Sequence, residues 1–337
     1  MKKTIVALAV AAVAATSANA ATVYNQDGTK VDVNGSVRLL LKKEKDMRGD
    51  LIDNGSRVSF KASHDLGEGL SALAYAELRF SEKEEILDDA GKKIGVKYPI
   101  GNDVHVKRLY AGFAYEGLGT LTFGNQLTIG DDVGFSDYTY FNSGIGKPLS
   151  EGNKAVNFKS ADFNGFRFGG AYVFAADANK NAARDDRGFV VAGFYNGKFG
   201  DVGFGLDAGY SQKYVTKTKQ EKEKIFKVAT ELSYAGLALG VDYLQSKVTN
   251  VEGKKRALEV GLNYDLNDKA NVYTVFSWTK NGPKGSVTRT RKAALGLGYK
   301  VHKQVETFVE GGWGRTKDAA GKTVKNNQVG VGLRVHF

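Results

Sequence analysis

Apolar and polar residues alternate along most of this chain, and the connections between the alternating segments are by turns short and long. A period of two is that of a β-strand, whose successive side chains point to opposite faces. The last stretch shows the pattern clearly, because Val329, Val331, Leu333, Val335 and Phe337 fall on one face. About sixteen such segments follow residue 20, and an even number of antiparallel strands can close into an up-and-down barrel.

Seven short and eight long connections interleave strictly. The short ones lie at 65–69, 116–119, 163–165, 196–201, 234–236, 266–269 and 301–303. The long ones lie near 44–54, 82–102, 127–152, 175–186, 213–223, 249–254, 281–287 and 317–323. This rhythm predicts a meander with both chain ends on the side of the short turns.

The polar faces of the strands carry many charges. In the segment 226–234, for example, Phe226, Val228 and Leu232 oppose Lys227 and Glu231. A face so charged indicates a wet interior, and the opposite face then meets lipid. The mean hydropathy of −0.32 does not contradict this, because alternating strands dilute their own apolar signal. A soluble exported β-sandwich or solenoid remains the alternative.

The N-terminus predicts export. Lys2 and Lys3 precede an apolar run, and Ala18-Asn19-Ala20 reads as a cleavage site, so residues 1–20 are expected to be a signal peptide. We expect residues 21–337 to form one barrel domain in a bacterial outer membrane. The chain has no cysteine, which excludes scaffolds held by disulfides.

The formal net charge of +11 could indicate a nucleic-acid partner, but an exported chain with scattered lysines makes that reading weak. Binding of anionic lipopolysaccharide, or a pore that accepts anions, fits better. The four histidines, His64, His105, His302 and His336, have no serine partner at a recognisable spacing. No catalytic site, metal site or cofactor is therefore predicted.

Several longer segments resemble a known family. The start "ATVYNQDGTKVDVNGSVRLLL", the segments "GSRVSFKASHDLGEGLSALAYAELRF" and "YAGFAYEGLGTLTFGN", and the ending "VGVGLRVHF" resemble the general diffusion porins of the Gram-negative outer membrane. "VHKQVETFVEGGWGRTK" is most similar to the Haemophilus and Pasteurella type. The resemblance implies a homotrimer of sixteen-stranded antiparallel transmembrane β-barrels. Each would form a water-filled pore for small hydrophilic solutes and ions, narrowed by an inward-folded third loop.

The resemblance also implies where the pore is narrowest. The constriction loop would be the connection at about 127–152, opposite a basic wall. The loop candidates are Asp131, Asp132, Asp137 and Tyr138, and the wall candidates are Arg38, Arg57, Lys61, Glu77 and Lys107. Arg108 is an alternative to Lys107, because a slip of one residue exchanges the faces of a strand. Each residue could instead be a solvated charge without a role in selection.

Two positions depart from the family pattern. The common loop signature Pro-Glu-Phe-Gly-Gly is replaced by Tyr-Phe-Asn-Ser-Gly at 140–144, and Gly-Arg after the fifth strand reads Gly-Asn at 124–125. A loop carboxylate and a wall arginine are both missing, and the wall also carries Arg79, Lys159 and Arg167. We therefore expect a weakly selective or anion-leaning pore. A channel specific for an anionic nutrient or a sugar is the alternative.

Overall fold

The computed structural model describes residues 20–337 except 82–83, 88–92, 98, 143, 176–185 and 216–220. The predicted signal peptide, apart from Ala20, lies outside the described residues. Within the described part, no helix is long and apolar enough to cross a membrane.

The described chain is built from β-strands and one short 3₁₀ helix at Ile129–Asp132. The strands of the first half are β1 (Ala21–Gln26), β2 (Thr29–Glu44), β3 (Asp50–Asp53), β4 (Arg57–Gly67), β5 (Leu70–Arg79), β6 (Glu84–Leu87), β7 (Lys93–Lys97), β8 (His105–Tyr115), β9 (Gly119–Leu127) and β10 (Glu151–Ser160). The remaining strands are β11 (Phe166–Val173), β12 (Gly188–Phe199), β13 (Val202–Tyr214), β14 (Lys222–Tyr234), β15 (Leu237–Val248), β16 (Lys254–Asp265), β17 (Ala270–Gly282), β18 (Thr288–His302), β19 (Val305–Lys317) and β20 (Thr323–His336).

The sheet closes into a barrel of sixteen antiparallel strands, which confirms the predicted fold class. Closure occurs where Ser36–Glu44 of β2 pair with 328–336 of β20. The terminal Phe337 completes this seam through two backbone hydrogen bonds with Gly35, of 2.7 and 3.0 Å. β3 and β4 both pair with β2 and together form one strand of the barrel. β6 and β7 form a separate hairpin within the second long connection.

All seven short turns lie where the rhythm predicted them, between the strand ends given above. The first long connection is shorter than predicted, because β2 continues to Glu44 and β3 begins at Asp50. The chain bends instead between β3 and β4, where Asp53 Oδ1 accepts hydrogen bonds from Gly55 N and Ser56 N. Much of the connections at 175–186 and 213–223 lies outside the described residues.

One hairpin was missed by the sequence analysis. β1 pairs with Thr29–Val33 of β2 through a two-residue turn at Asp27 and Gly28, with φ values of 49° and 74°. An Asp-Gly pair between two strands is a strong local signal for this turn, because both positions need positive φ. The signal was present in the sequence.

The distribution of apolar and polar side chains in the barrel is the reverse of that in a soluble protein. Outward-facing side chains are apolar and exposed, such as Leu295 at 52% and Phe276 at 42%. Inward-facing acidic side chains are buried, such as Glu310 at 0% and Asp242 at 1%. The alternation read from the sequence therefore separates a lipid-facing surface from a polar interior, which we call the lumen.

Candidate functional site

The third long connection, 128–150, crosses the lumen. Gly134 N donates to Asp207 of β13, Asn142 N donates to Glu310 of β19, and Phe141 packs against Leu40 of β2. A single segment can contact strands this far apart around a closed barrel only from the inside. We call this segment the lumenal loop.

The loop leaves the wall through the 3₁₀ helix, which is held at its start. Thr128 caps this helix, because its Oγ1 accepts a hydrogen bond from Gly130 N. Asn157 of β10 accepts from Ile129 N at 2.9 Å. The side chains of Ile129 and Val133 are buried in an apolar cluster on β11 and β12. The base of the loop is thus fixed by both packing and hydrogen bonds.

Two predicted loop carboxylates lie at this base, and each has its own lysine. Lys147 Nζ lies 3.1 Å from Asp131 Oδ1, and Lys159 Nζ lies 2.6 Å from Asp132 Oδ2. All four side chains are partly exposed. Because the opposite charges lie so close, each pair contributes little net field to the lumen.

The middle of the loop is held by wall carboxylates. Gly134 N donates to Asp207 Oδ2 at 3.1 Å, while Phe135 N and Ser136 N donate to Asp242 Oδ1 at 3.0 and 3.1 Å. The other oxygen of Asp242 lies 2.7 Å from Lys227 Nζ. Carboxylates that accept backbone N–H groups hold a loop in one geometry.

Tyr138 is fastened in the same way. Its hydroxyl donates to Glu231 Oε2 of β14 at 2.7 Å. Burial and the neighbouring Glu231 carboxylate raise the pKa of the Tyr138 phenol well above its ordinary value. Ser136 Oγ donates to Glu259 of β16 at 2.9 Å. Tyr138 therefore lies against the side of the barrel wall that carries Glu231, Asp242 and Glu259.

Asp137 stabilises a bend of the loop. Its Oδ1 accepts from the backbone N and the hydroxyl of Thr139, at 3.1 and 2.6 Å. Its Oδ2 accepts from Gly144 N at 3.0 Å. The side chain is exposed, so its charge also faces solvent.

Glu310 anchors the tip of the loop, and the sequence analysis did not select it. Its carboxylate accepts from Tyr140 N at 2.7 Å, from Asn142 N at 3.1 Å and from the Tyr273 hydroxyl at 2.6 Å. The side chain is fully buried. The sequence signal for Glu310 was its position. It lies two residues from both Phe308 and Gly312 on β19 and so shares their inward face.

Aromatic side chains occupy the tip, where the family signature is replaced. Tyr140 stacks on Phe308 with ring centroids 4.0 Å apart, and the Arg334 guanidinium lies 4.4 Å from the Tyr140 ring. The Tyr140 hydroxyl donates to Glu306. Burial, together with Glu306, raises the pKa of Tyr140. These contacts fix Tyr140 in the interior.

The predicted basic wall lies on β2, β4 and β5, and its arginines surround one carboxylate, that of Glu77. Glu77 Oε1 accepts from Arg79 Nε at 2.7 Å, and Glu77 Oε2 lies 3.9 Å from Arg57. Arg38 Nε donates to the uncharged Ser36 hydroxyl at 2.9 Å. Arg57 and Arg79 therefore share one carboxylate, and Arg38 has no ion pair in the described part of the chain.

Lys61 lies on the same inward face of β4, opposite Asp32 of β2. Asp32 accepts from Lys30 at 2.9 Å and from Thr22 at 2.7 Å. Lys61 Nζ is buried and has no hydrogen-bond partner in the described part of the chain. Its charge thus adds to that of the basic wall.

The uncertain register on β8 is resolved by a β-bulge. Glu77 lies opposite Arg108, but Leu78 lies opposite Val106, so Lys107 is the extra residue. Both basic side chains reach Glu151 Oε2, at 2.9 Å from Arg108 and 3.5 Å from Lys107. Both residues considered from the sequence therefore lie beside the same carboxylate.

A polar space remains between the loop tip and the basic wall. It is lined in part by Lys42, Ser56, Arg79, Lys107 and Phe141. Among the described residues, no three side chains form a group that could hold a metal ion. The arrangement favours passage or retention of polar solutes.

Comparison with known proteins agrees with this geometry. Residues 7–319 match the family model described as Gram-negative porin. The major outer membrane protein of Pasteurella multocida is 80% identical over 343 residues, covering 100% of both chains. OmpT of Vibrio cholerae, in its trimer form, has a TM-score of 0.70 at 21% identity, covering 92% of this chain and 100% of that one. The anion-selective porin from Comamonas acidovorans has a TM-score of 0.68 at 16% identity, with the same coverage.

Proposed function

Because the chain belongs to the Gram-negative porin family and forms a general diffusion channel of the outer membrane, we propose that this channel prefers anions. The narrow region would lie between the tip of the lumenal loop and the basic wall. The observation that carries the proposal is the uneven pairing of charge. Arg57 and Arg79 share Glu77 and Arg38 has no ion pair among the described residues, whereas Asp131 and Asp132 each have a lysine.

Net field in a wet lumen comes from charges that lack a close partner, because a close opposite charge cancels most of the field. The nine predicted constriction residues differ by this criterion. Glu77, Lys107, Asp131 and Asp132 each have an oppositely charged partner. The neutral Tyr138 donates to Glu231, and Asp137 accepts hydrogen bonds from neutral groups. The cations Arg38, Arg57 and Lys61 have few or none. The porin from Comamonas acidovorans, which has a similar fold, is anion-selective.

The test is the reversal potential of the purified protein in a planar bilayer under a salt gradient. We expect its sign to show anion preference in the wild type and to move towards cations in Arg57→Gln/Arg79→Gln. The matched control is Lys198→Gln/Lys269→Gln, which removes the same charge from the short-turn end. A strong cation preference of the wild type would exclude the proposal.

We also propose that the protein acts as a homotrimer and that residues 1–20 are removed. The trimer form of Vibrio cholerae OmpT supports the first statement, and the A-x-A motif supports the second. Channel openings in steps of three would be expected from a trimer. The mass of the purified protein should correspond to a chain that begins at Ala21, and an intact N-terminus would exclude cleavage.

A channel specific for an anionic nutrient or a sugar is the second candidate. Tyr75 and Tyr110 stack with ring centroids 5.0 Å apart, and the Tyr75 hydroxyl donates to Glu77 at 3.1 Å. Stacked rings beside arginines can hold a ring-shaped or charged solute. Saturation of conductance by such a solute would favour this candidate, and conductance that stays proportional to salt would favour general diffusion.

A further inference from the structure

Four wall acids hold the lumenal loop, and each has a glycine two residues away on its own strand. The acids are Asp207, Asp242, Glu259 and Glu310, and the glycines are Gly205, Gly240, Gly261 and Gly312. Residues two apart on a strand share a face, so each glycine lies on the inward face beside its acid. All four glycines are buried. We call them the wall glycines.

The backbone of the loop lies directly on two wall glycines. Gly240 and Gly261 are opposite each other on β15 and β16. A Cβ added at Gly240 would lie 2.7 Å from Phe135 O and 2.8 Å from Ser136 Cα. One added at Gly261 would overlap the Ser136 carbonyl oxygen. Carbon atoms in contact lie about 3.5–4.0 Å apart, so a methyl group at either glycine requires the loop backbone to move away by about 1 Å.

The other two wall glycines contact side chains of the loop. A Cβ added at Gly205 would lie 2.6 Å from the Phe135 ring, and one added at Gly312 would overlap the Asn142 amide. The end of a side chain can turn aside, whereas a backbone carbonyl moves only with its segment. Gly240 and Gly261 are therefore the positions at which the wall limits the loop backbone itself.

Space, and not backbone conformation, is what requires glycine here. None of the four wall glycines has a positive φ, so another residue could adopt the same backbone angles. Glycine in the interior of a strand is unfavourable and often marks the close approach of another backbone. At Gly240 and Gly261 that other backbone is the lumenal loop.

We propose that the wall glycines set the depth at which the lumenal loop lies against the wall, and thereby the width of the pore beside it. The acids hold the loop to the wall, and the missing side chains allow the short distance. Because the barrel is closed, a loop that moves away from β15 and β16 moves towards the basic wall and narrows the polar space. The wall glycines are thus positioning residues for the size limit of the channel. This role depends on general diffusion through the pore and is independent of the anion preference.

Gly240→Ala in the full mature protein tests this role. The single-channel conductance in a planar bilayer should fall by about a third, because the loop enters the open space. The noise should stay low, since Asp207, Glu259 and Glu310 still hold the loop. Polyethylene glycols small enough to enter a pore lower its conductance. The largest polymer that does so should be smaller for the variant than for the wild type.

Gly193→Ala is the matched control and should behave as the wild type does. Gly193 lies on the outward face of β12, where a Cβ would meet only the Phe166 ring, at 4.0 Å. Gly261→Ala is the second variant if Gly240→Ala folds poorly, as judged by heat-modifiable gel mobility. Wild-type conductance and polymer limit in the folded variants would overturn the proposal. A larger, noisier channel would also overturn it, because the loop would then have left the wall.

The reversal potential separates this result from the proposed anion preference. Gly240→Ala and Gly261→Ala change no charge, so the sign of the reversal potential should stay that of the wild type. A wild type that prefers cations would contradict the anion preference and leave the measured pore width unaffected.

Discussion

The lumenal wall has two parts that handle charge in opposite ways. On β13 to β19, Asp207, Asp242, Glu259 and Glu310 each accept hydrogen bonds from the lumenal loop. On β4 and β5, Arg57 and Arg79 share one carboxylate, Glu77, and Arg38 of β2 has no ion pair among the described residues. The acidic part holds the loop, and the basic part faces the open space. The acids on β13 to β19 therefore serve as anchors of the loop, a role that a count of acids and bases along the sequence does not reveal.

The comparison also separates mechanical from electrostatic roles. A buried carboxylate is stable only when it is paired or hydrogen-bonded, and the loop N–H groups satisfy this need. An arginine in a wet lumen has water as a partner and needs no protein acceptor. Loss of a wall acid should therefore free the loop, whereas loss of a wall arginine should mainly change selectivity.

The largest effect is expected for Glu310→Ala. The substitution leaves several buried donors without an acceptor, and each costs about 1–3 kcal/mol. The tip of the lumenal loop should detach, and the single-channel conductance should become larger and noisier. The measurement is single-channel recording of folded protein. Glu306→Ala is the control, because Glu306 accepts from the Tyr140 hydroxyl and not from the loop backbone. A quiet Glu310→Ala channel of wild-type conductance would contradict the anchoring role.

A smaller effect is expected at the base of the loop. Asp131→Asn/Asp132→Asn frees Lys147 and Lys159, so the reversal potential should move further towards anions. Lys147→Gln/Lys159→Gln frees the two carboxylates and should move it towards cations. The variant with all four substitutions should return close to the wild type. If the variant with all four substitutions keeps the reversal-potential shift of either double variant, the lysine and aspartate of each pair do not neutralise one another.

The smallest effect is expected for Tyr138→Phe. A single hydrogen bond to Glu231 is lost, which costs about 1 kcal/mol. The raised pKa of Tyr138 means that the fold favours the neutral phenol, so this stabilisation is complete below the ordinary tyrosine pKa of about 10 and is lost at higher pH. Wild-type stability should therefore fall more steeply above pH 10 than that of the variant. Heat-modifiable gel mobility as a function of pH measures this, and identical profiles would contradict it.

Much of the fold was accessible from the sequence. The strand number and the short turns follow from alternation and turn residues, which are local properties. The β1 hairpin was missed although Asp27-Gly28 signalled it. The break between β3 and β4 was missed because it depends on Asp53 capping two following N–H groups.

The site was less accessible. The sequence resemblance selected Glu77 and Arg57, which do lie together in the structure. It did not select Glu310, because an inward acid on β19 looks the same in sequence whether it faces water or a loop. The resemblance also could not decide which of Lys107 and Arg108 faces the lumen. The β-bulge that sets their orientation depends on pairing with the neighbouring strand.

Alternation along the chain determined which side chains face lipid and which face the lumen, because a strand repeats every two residues wherever it lies. Only the closed barrel decided which charges have partners. Glu310 accepts a hydrogen bond from Tyr140, which is 170 residues away in the chain. Asp242 accepts one from Phe135, which is 107 residues away. Contacts of that separation form only when the sheet closes around the loop, so no local pattern can specify them.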